Sequence, residues 1–152
     1  MFLSIDCGNT NIVFCVNKQS NNGFEILKSW RVNSSTLTTS DEFFSYIYQF
    51  LSTFNLKINQ IKGIILASVV PEITENLKKM FNNYFSCKVF IVGESNTELD
   101  LTINIENPKE AGADRIVNAY AVKVLSITPA IVIDFGTATT FDIINKKGDY
   151  EG

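Results

Sequence analysis

Apolar residues along this chain follow two alternating periods. From Phe2 to Asp6 an apolar run ends on an acid, and Gly8-Asn9 breaks it. From Asn11 to Val16 the chain returns with Ile12, Phe14 and Val16 on alternate positions, the spacing of a strand with one buried face. Asn21-Asn22-Gly23 signals a second turn, and Phe24 to Val32, which carries the only tryptophan, Trp30, predicts a third strand. After a polar loop from Asn33 to Ser40 the period becomes helical. Phe43, Phe44, Ile47, Phe50, Leu51 and Phe54 form an aromatic stripe that reads as core. Thr39 with Glu42 three positions later is the pattern of a capping box ahead of that helix.

Ile64-Ile65-Leu66-Ala67, bounded by Gly63 and Pro71, predicts a fully buried parallel strand. Pro71 suits a first helical position, and Ile73, Leu77, Met80, Phe81 and Tyr84 recur at helical spacing behind it. Lys88-Val89-Phe90-Ile91-Val92 predicts a further strand. The order β-β-β-α-β-α-β, three antiparallel strands followed by two crossovers, has the layout of a ribonuclease-H-like α/β domain with a mixed five-stranded sheet, by analogy of fold.

The second part of the chain is less regular. Leu101, Ile103 and Ile105 alternate as a short edge strand would. A helix from Ala113 to Leu125 is apolar on several faces, which predicts burial between layers or at a subunit contact. Asp114-Arg115 falls at its N-terminal end, where the helix dipole favours a carboxylate. Thr128-Pro129 ends the helix, and a second hairpin follows, returning from Thr139 to Ile144. Asn145 to Asp149 turns, and Tyr150-Glu151-Gly152 reads as the start of another strand. A hairpin without following helices cannot bury its second face. The expectation is therefore a first domain over 1–112, then an interdomain helix and the start of a truncated second domain over 113–152, its open face covered by further chain or a partner.

The two hairpins share a signature. Ile5-Asp6-Cys7-Gly8 is repeated as Ile133-Asp134-Phe135-Gly136, each followed by Asn or Thr. Glycine permits a positive φ or a close ligand approach. Consecutive amides in such a turn can form an anion nest, and carboxylates at strand ends could hold a metal–phosphate. The plainer alternative is two hairpins whose aspartates cap their own turns.

Composition narrows the chemistry. At 152 residues, 45% hydrophobic and 19% charged, the chain is globular; a net charge of −3 argues against a nucleic-acid surface. It shows neither a membrane span nor a signal peptide. Three cysteines, Cys7, Cys15 and Cys87, without a CxxC suit reduced thiols in a cytoplasm. The absence of histidine removes a Ser-His-Asp triad, a histidine base and every His-ligated metal, leaving carboxylate, Lys, Tyr or Cys as base and a hard cation as metal.

Asp6-Cys7-Gly8-Asn9-Thr10-Asn11, Gly112-Ala113-Asp114-Arg115 and Asp134-Phe135-Gly136-Thr137-Ala138-Thr139-Thr140 resemble, in order and spacing, the three motifs of type III pantothenate kinases. The resemblance covers the whole chain; such kinases usually continue for about another hundred residues as a second actin-like half. It implies an actin-like ATPase fold and ATP-dependent phosphorylation of pantothenate to 4′-phosphopantothenate, the first step of coenzyme A synthesis. It implies that Asp6, Cys7, Gly8, Asn9, Thr10, Asn11, Ile12 and Val13 form the phosphate loop. Asp6 would serve Mg²⁺ through the phosphates, and Thr137 would touch ATP. Gly112, Ala113, Asp114 and Arg115 would line the pantothenate site, with Asp114 as catalytic base. Asp134 would bind K⁺ or NH₄⁺, and the protein would be a homodimer. Arg115 would pair with the substrate carboxylate; its plainer alternative is a salt bridge to Glu110 or Asp114. The two loops would face each other across a cleft, with Asp114 near its floor. Relatives often carry an aromatic three positions before the middle motif's proline, where Ile105 stands here, and no substrate contact is assigned to it. Two rival readings stand beside this one: a kinase of the same superfold acting on another small hydroxyl or carboxylate acceptor, and a non-enzymatic nucleotide-binding or regulatory module.

Overall fold

The computed structural model describes every residue except Asn22, so that position of the expected Asn21-Asn22-Gly23 turn lies outside the described residues. The chain divides into two compact units, Met1–Ile91 and Val92–Gly152. In the first, β1 (Phe2–Cys7), β2 (Asn11–Ser20), β3 (Gly23–Asn33), β4 (Gly63–Ser68) and β5 (Lys88–Ile91) form a sheet in the order β3-β2-β1-β4-β5. β1 is antiparallel to β2 and parallel to β4; β2 is antiparallel to β3, and β4 parallel to β5. Helices α1 (Ser40–Thr53) and α2 (Pro71–Tyr84) supply the connections. This is the ribonuclease-H-like arrangement, a mixed five-stranded sheet with flanking helices.

Alternation places the core. Leu3, Ile5 and Cys7 of β1, Ile12, Phe14 and Val16 of β2, and Ile64 and Leu66 of β4 share one sheet face through their register. Against it pack Phe43, Ile47 and Leu51 of α1 and Ile73, Leu77, Met80 and Phe81 of α2, all buried. Each such side chain contributes about 1.5–3 kcal/mol by leaving water. Trp30 is stacked between Phe14 and Phe50, with ring centroids 5.4 and 4.9 Å away, and its indole N–H has no acceptor. The capping box forms as expected: Glu42 N–H donates to Thr39 Oγ1 at 3.3 Å, and Thr39 N–H to Glu42 Oε2 at 2.8 Å.

The expectation of a fully buried β4 needs correction. Ile65, on the other face of the sheet, is 39% exposed, as is Phe90 of β5. Both helices cover the Leu66 face; on the other face Ala67 is buried but Ile65 is not, so the apolar run of β4 is fully covered on one side only.

In the second unit, α3 (Ala113–Val124) packs on a two-stranded antiparallel sheet of β6 (Ala130–Phe135) and β7 (Thr139–Ile144). Ala119, Val122, Ile144 and Tyr150 are its buried centre, joined by Leu101, Ile103, Ile105, Ala111, Ala130 and Val132. Ile105 is thus a packing residue of this unit. The expected edge strand at Leu101–Ile105 reduces to one parallel bridge, Ile103 to Tyr150. Tyr150 also bridges antiparallel to Ile144, which is the strand start expected at Tyr150. Helix α3 buries Ala113, Ile116, Ala119 and Val122, whereas Val117 and Val124 are exposed. Its burial follows one stripe rather than several faces. The outer face of the hairpin, Ile131, Ile133 and Phe135 with Phe141 and Ile143, is exposed.

Candidate functional site

Asp6 and its turn sit at the carboxyl end of the central strand. Asp6 pairs with Val13 on one side and Ala67 on the other, and its side chain is exposed. Asn9 and Thr10 form the exposed tip of the turn. Three bonds tie the turn down. Gly8 N–H donates to the Asn11 carbonyl at 3.0 Å, Ser34 N–H to the Thr10 carbonyl at 2.9 Å, and Val69 N–H to the Cys7 carbonyl at 3.0 Å. The Ser34 hydroxyl also donates to the Gly8 carbonyl. Ser34, which the sequence left in a polar loop, is therefore a clamp on the turn. Cys7 and Ile12 are buried, and Cys7 is a packing thiol. Burial pushes its pKa above the ordinary 9.0, with Asp6 adding to the rise and a hydrogen bond with Ser68 opposing it.

The second hairpin repeats this with one residue fewer. Between the last paired residues lie four positions (8–11) in the first turn and three (136–138) in the second. Gly136 N–H donates to the Ala138 carbonyl at 3.2 Å. Asp134, opposite Thr140, and Thr137 at the tip are both exposed. In each turn the glycine amide is committed to the turn itself, so an anion nest there draws on other groups.

Neither glycine needs to be glycine for the fold. Neither Gly8 nor Gly136 has a positive φ; the glycines that do are Gly23, Gly93, Gly148 and Gly152. A Cβ on Gly8 would meet the Asn11 carbonyl at 3.4 Å, and one on Gly136 the Ala138 carbonyl at 3.6 Å, ordinary contacts in both cases. Of the two reasons for glycine read from the sequence, positive φ is removed, and approach of something outside the chain is left.

Gly112, Ala113, Asp114 and Arg115 open α3. Gly112 is the N-cap and has no side chain to give, so the next acid takes that duty: Asp114 Oδ1 accepts the Arg115 N–H at 2.8 Å. Arg115 pairs with neither Glu110 nor Asp114. Its Nη1 lies 3.7 Å from Oδ1 of Asp142 on β7. Asp142 is fully buried and accepts the Tyr150 hydroxyl at 3.0 Å. The Tyr150 hydroxyl and then the charge of Asp142 hold the Arg115 pKa above the ordinary guanidinium value, against partial burial. The sequence marks Tyr150 only as a strand start and gives Asp142 no role. The available signal was the acid's place in the alternation of β7, on the face it shares with Ile144.

Among the described residues, no cluster of three or more Asp, Glu, Cys or His could hold a metal. Asp6 and Asp134 are single exposed carboxylates, which fits a hard cation held mainly by phosphate and water oxygens. A shallow depression of about 650 Å³ is lined by Ile58, Lys62, Tyr84, Cys87 and Lys88. It opens at the start of β4 and β5, the opposite end of the sheet from Asp6. No helix among the described residues is long and apolar enough to cross a membrane.

A five-stranded ribonuclease-H-like sheet with Asp-x-Gly at the end of its central strand defines the class of actin-like ATPase folds. A solved reductive activator for a corrinoid, iron-sulfur protein shares this fold, with a TM-score of 0.57 at 13% identity over 95% of this chain and 29% of its own. Residues 2–152 match the sequence profile of the type III pantothenate kinase family, and the chain belongs to that family. The type III pantothenate kinase of Paramagnetospirillum magneticum is 42% identical over all 152 residues, and that of Moorella thermoacetica 43%. The chain spans 57% and 58% of the length of these two relatives.

Proposed function

We propose that the protein of which this chain forms part transfers the γ-phosphoryl group of ATP to pantothenate, giving 4′-phosphopantothenate for coenzyme A synthesis. The observation that carries this reading is family membership across residues 2–152 with all three motifs in place. Gly8 and Gly136, where neither a positive φ nor a clash with a Cβ calls for glycine, support phosphate contact at both hairpins.

Phosphoryl transfer demands positioning and charge neutralisation more than covalent chemistry. In this reading Asp6 to Val13 cradle the phosphates, with Asn9 and Thr10 outermost, and Thr137 meets the nucleotide from the second hairpin. Asp6 holds Mg²⁺ through water and phosphate oxygens; the ion supplies charge neutralisation when bound. Asp134 takes K⁺ or NH₄⁺. Asp114, fixed by its bond to the Arg115 amide, accepts the proton of the primary hydroxyl as the P–O bond forms. The outward edge of Arg115 pairs with the pantothenate carboxylate. Further proposals are a homodimer, a cytoplasmic location and a domain boundary at 112/113.

The test is ADP release with pantothenate and a panel of other small hydroxyl and carboxylate acceptors, measured on this chain and on a form of family length. Pantothenate-dependent turnover in the longer form is expected. Turnover only on another acceptor would replace the substrate, and nucleotide binding without turnover on any acceptor would favour a regulatory module.

A further inference from the structure

Asp142 is the one charged side chain fully buried among the described residues. A desolvated carboxylate costs several kcal/mol unless hydrogen bonds and a counter-charge offset it. Here the compensation is incomplete. Oδ1 takes the Tyr150 hydroxyl at 3.0 Å and faces Arg115 at 3.7 Å, while Oδ2 accepts no hydrogen bond. An apolar residue in this place on β7 would pack beside Ile144 and Tyr150 without that penalty. The arrangement therefore needs a reason other than stability.

The geometry around Arg115 gives one. Tyr150 is 2% exposed and fixed through its backbone: its N–H donates to the Thr102 carbonyl at 2.9 Å, and its carbonyl accepts the Asn104 N–H at 2.8 Å. Its phenolic oxygen donates to Asp142, the carboxylate that faces Arg115. Asp142 is fixed opposite Val132 in the β6–β7 register. Arg115 thus has its inner edge against the buried Asp142, which Tyr150 holds in turn, while its side chain remains 40% exposed. Rotation of a guanidinium that would otherwise sample many rotamers is restricted at the first turn of α3, next to Asp114.

We propose that Asp142 and Tyr150 are positioning residues that lock Arg115 so that its outer edge presents a pre-aligned fork to the carboxylate of the substrate. The identity of that carboxylate rests on the pantothenate reading above; the locking of Arg115 does not. Asp142 and Tyr150 touch no substrate in this scheme and act through Arg115 alone.

The experiment has two arms. In the first, ¹⁵N relaxation of the Arg115 Nε–H group is measured in this chain and in its Asp142→Asn and Tyr150→Phe variants. An ordered Nε–H in the parent that becomes mobile in either variant is expected. Unchanged order in folded variants overturns the proposal. Tyr150→Phe removes a single hydroxyl and carries this arm if Asp142→Asn does not fold.

In the second arm, steady-state kinetics in the family-length protein compare Asp142→Asn, Arg115→Ala and the double variant. KM for pantothenate should rise roughly tenfold or more in Asp142→Asn, the usual scale for a residue that orients a binding group. KM for ATP should stay as in the parent. In the Arg115→Ala background, Asp142→Asn should add nothing further. Additive effects, or equal losses toward both substrates, overturn the proposal. A parent without pantothenate turnover would count against the substrate reading, and the relaxation arm would still decide the positioning of Arg115.

Discussion

Tyr150 donates its hydroxyl to Asp142 across 3.0 Å, and neither side chain reaches solvent. Removing the donor with Tyr150→Phe leaves Asp142 Oδ1 with only the looser Arg115 contact. The expected cost is about 1–3 kcal/mol of unfolding free energy, the penalty of a buried acceptor deprived of its partner. Urea denaturation of the two forms measures it, and a loss near zero would mean that water reaches the site.

Gly8→Ala and Gly136→Ala should separate fold from function. Both positions have room for a Cβ and neither has a positive φ. Thermal stability should therefore hold or rise, by up to roughly 1 kcal/mol through the unfolded chain's lost freedom. Nucleotide affinity should fall if phosphate approaches there. Calorimetric titration with ATP checks this, and undiminished affinity in both variants would exclude close phosphate contact at either turn.

Asp114→Asn tests the base. The kcat for pantothenate should drop on the order of 10²–10⁴-fold, the range for losing a general base. Unchanged turnover would assign Asp114 to helix capping alone, since its Oδ1 already serves the Arg115 amide.

The N-terminus of α1 predicts a pH effect of definite sign. Two hydrogen bonds from Thr39 hold the Glu42 pKa below its ordinary 4.5. A carboxylate with a depressed folded pKa contributes stability that is present above the unfolded value and lost as pH falls through the folded one. Thr39→Ala should cost about 1 kcal/mol near neutral pH. Acid titrations of melting temperature should show the gap between parent and variant narrowing below pH 4.5.

Cys7 acts at the other end of the scale. Its thiol is raised above 9.0 by burial, so the folded state binds its proton more tightly than the unfolded chain does. The associated stability is complete below 9.0 and is lost as pH rises through the folded value. Cys7→Ala should weaken the alkaline loss of melting temperature, and alkylation of the folded parent at neutral pH should spare this thiol.

The first unit was legible because its elements announce themselves locally. Ile12, Phe14 and Val16 alternate, Ile73, Leu77 and Met80 repeat helically, and Thr39 with Glu42 marks a boundary; each signal agrees with its neighbours. Ile65 misled because an unbroken apolar run looks the same whether one face of a strand is covered or both. The motif residues of the candidate site were legible by type and spacing, but their partners were not. Arg115 finds Asp142, 27 positions away, and Ser34 clamps a turn 26 positions before it. Such pairings depend on how strands and helices meet, which no local period encodes.

The two copies of Ile-Asp-x-Gly stand on very different supports. β1 is hydrogen-bonded along both edges, by β2 and by β4, and its inward side chains are buried. β6 has one neighbour, and its Ile131, Ile133 and Phe135 face solvent. Amide protons of Leu3 and Ile5 should then exchange with deuterium only when the first unit opens as a whole, whereas those of β6 should exchange through local fraying. The same four-letter signature would thus be read by the solvent on two separate clocks, the slower one at Asp6.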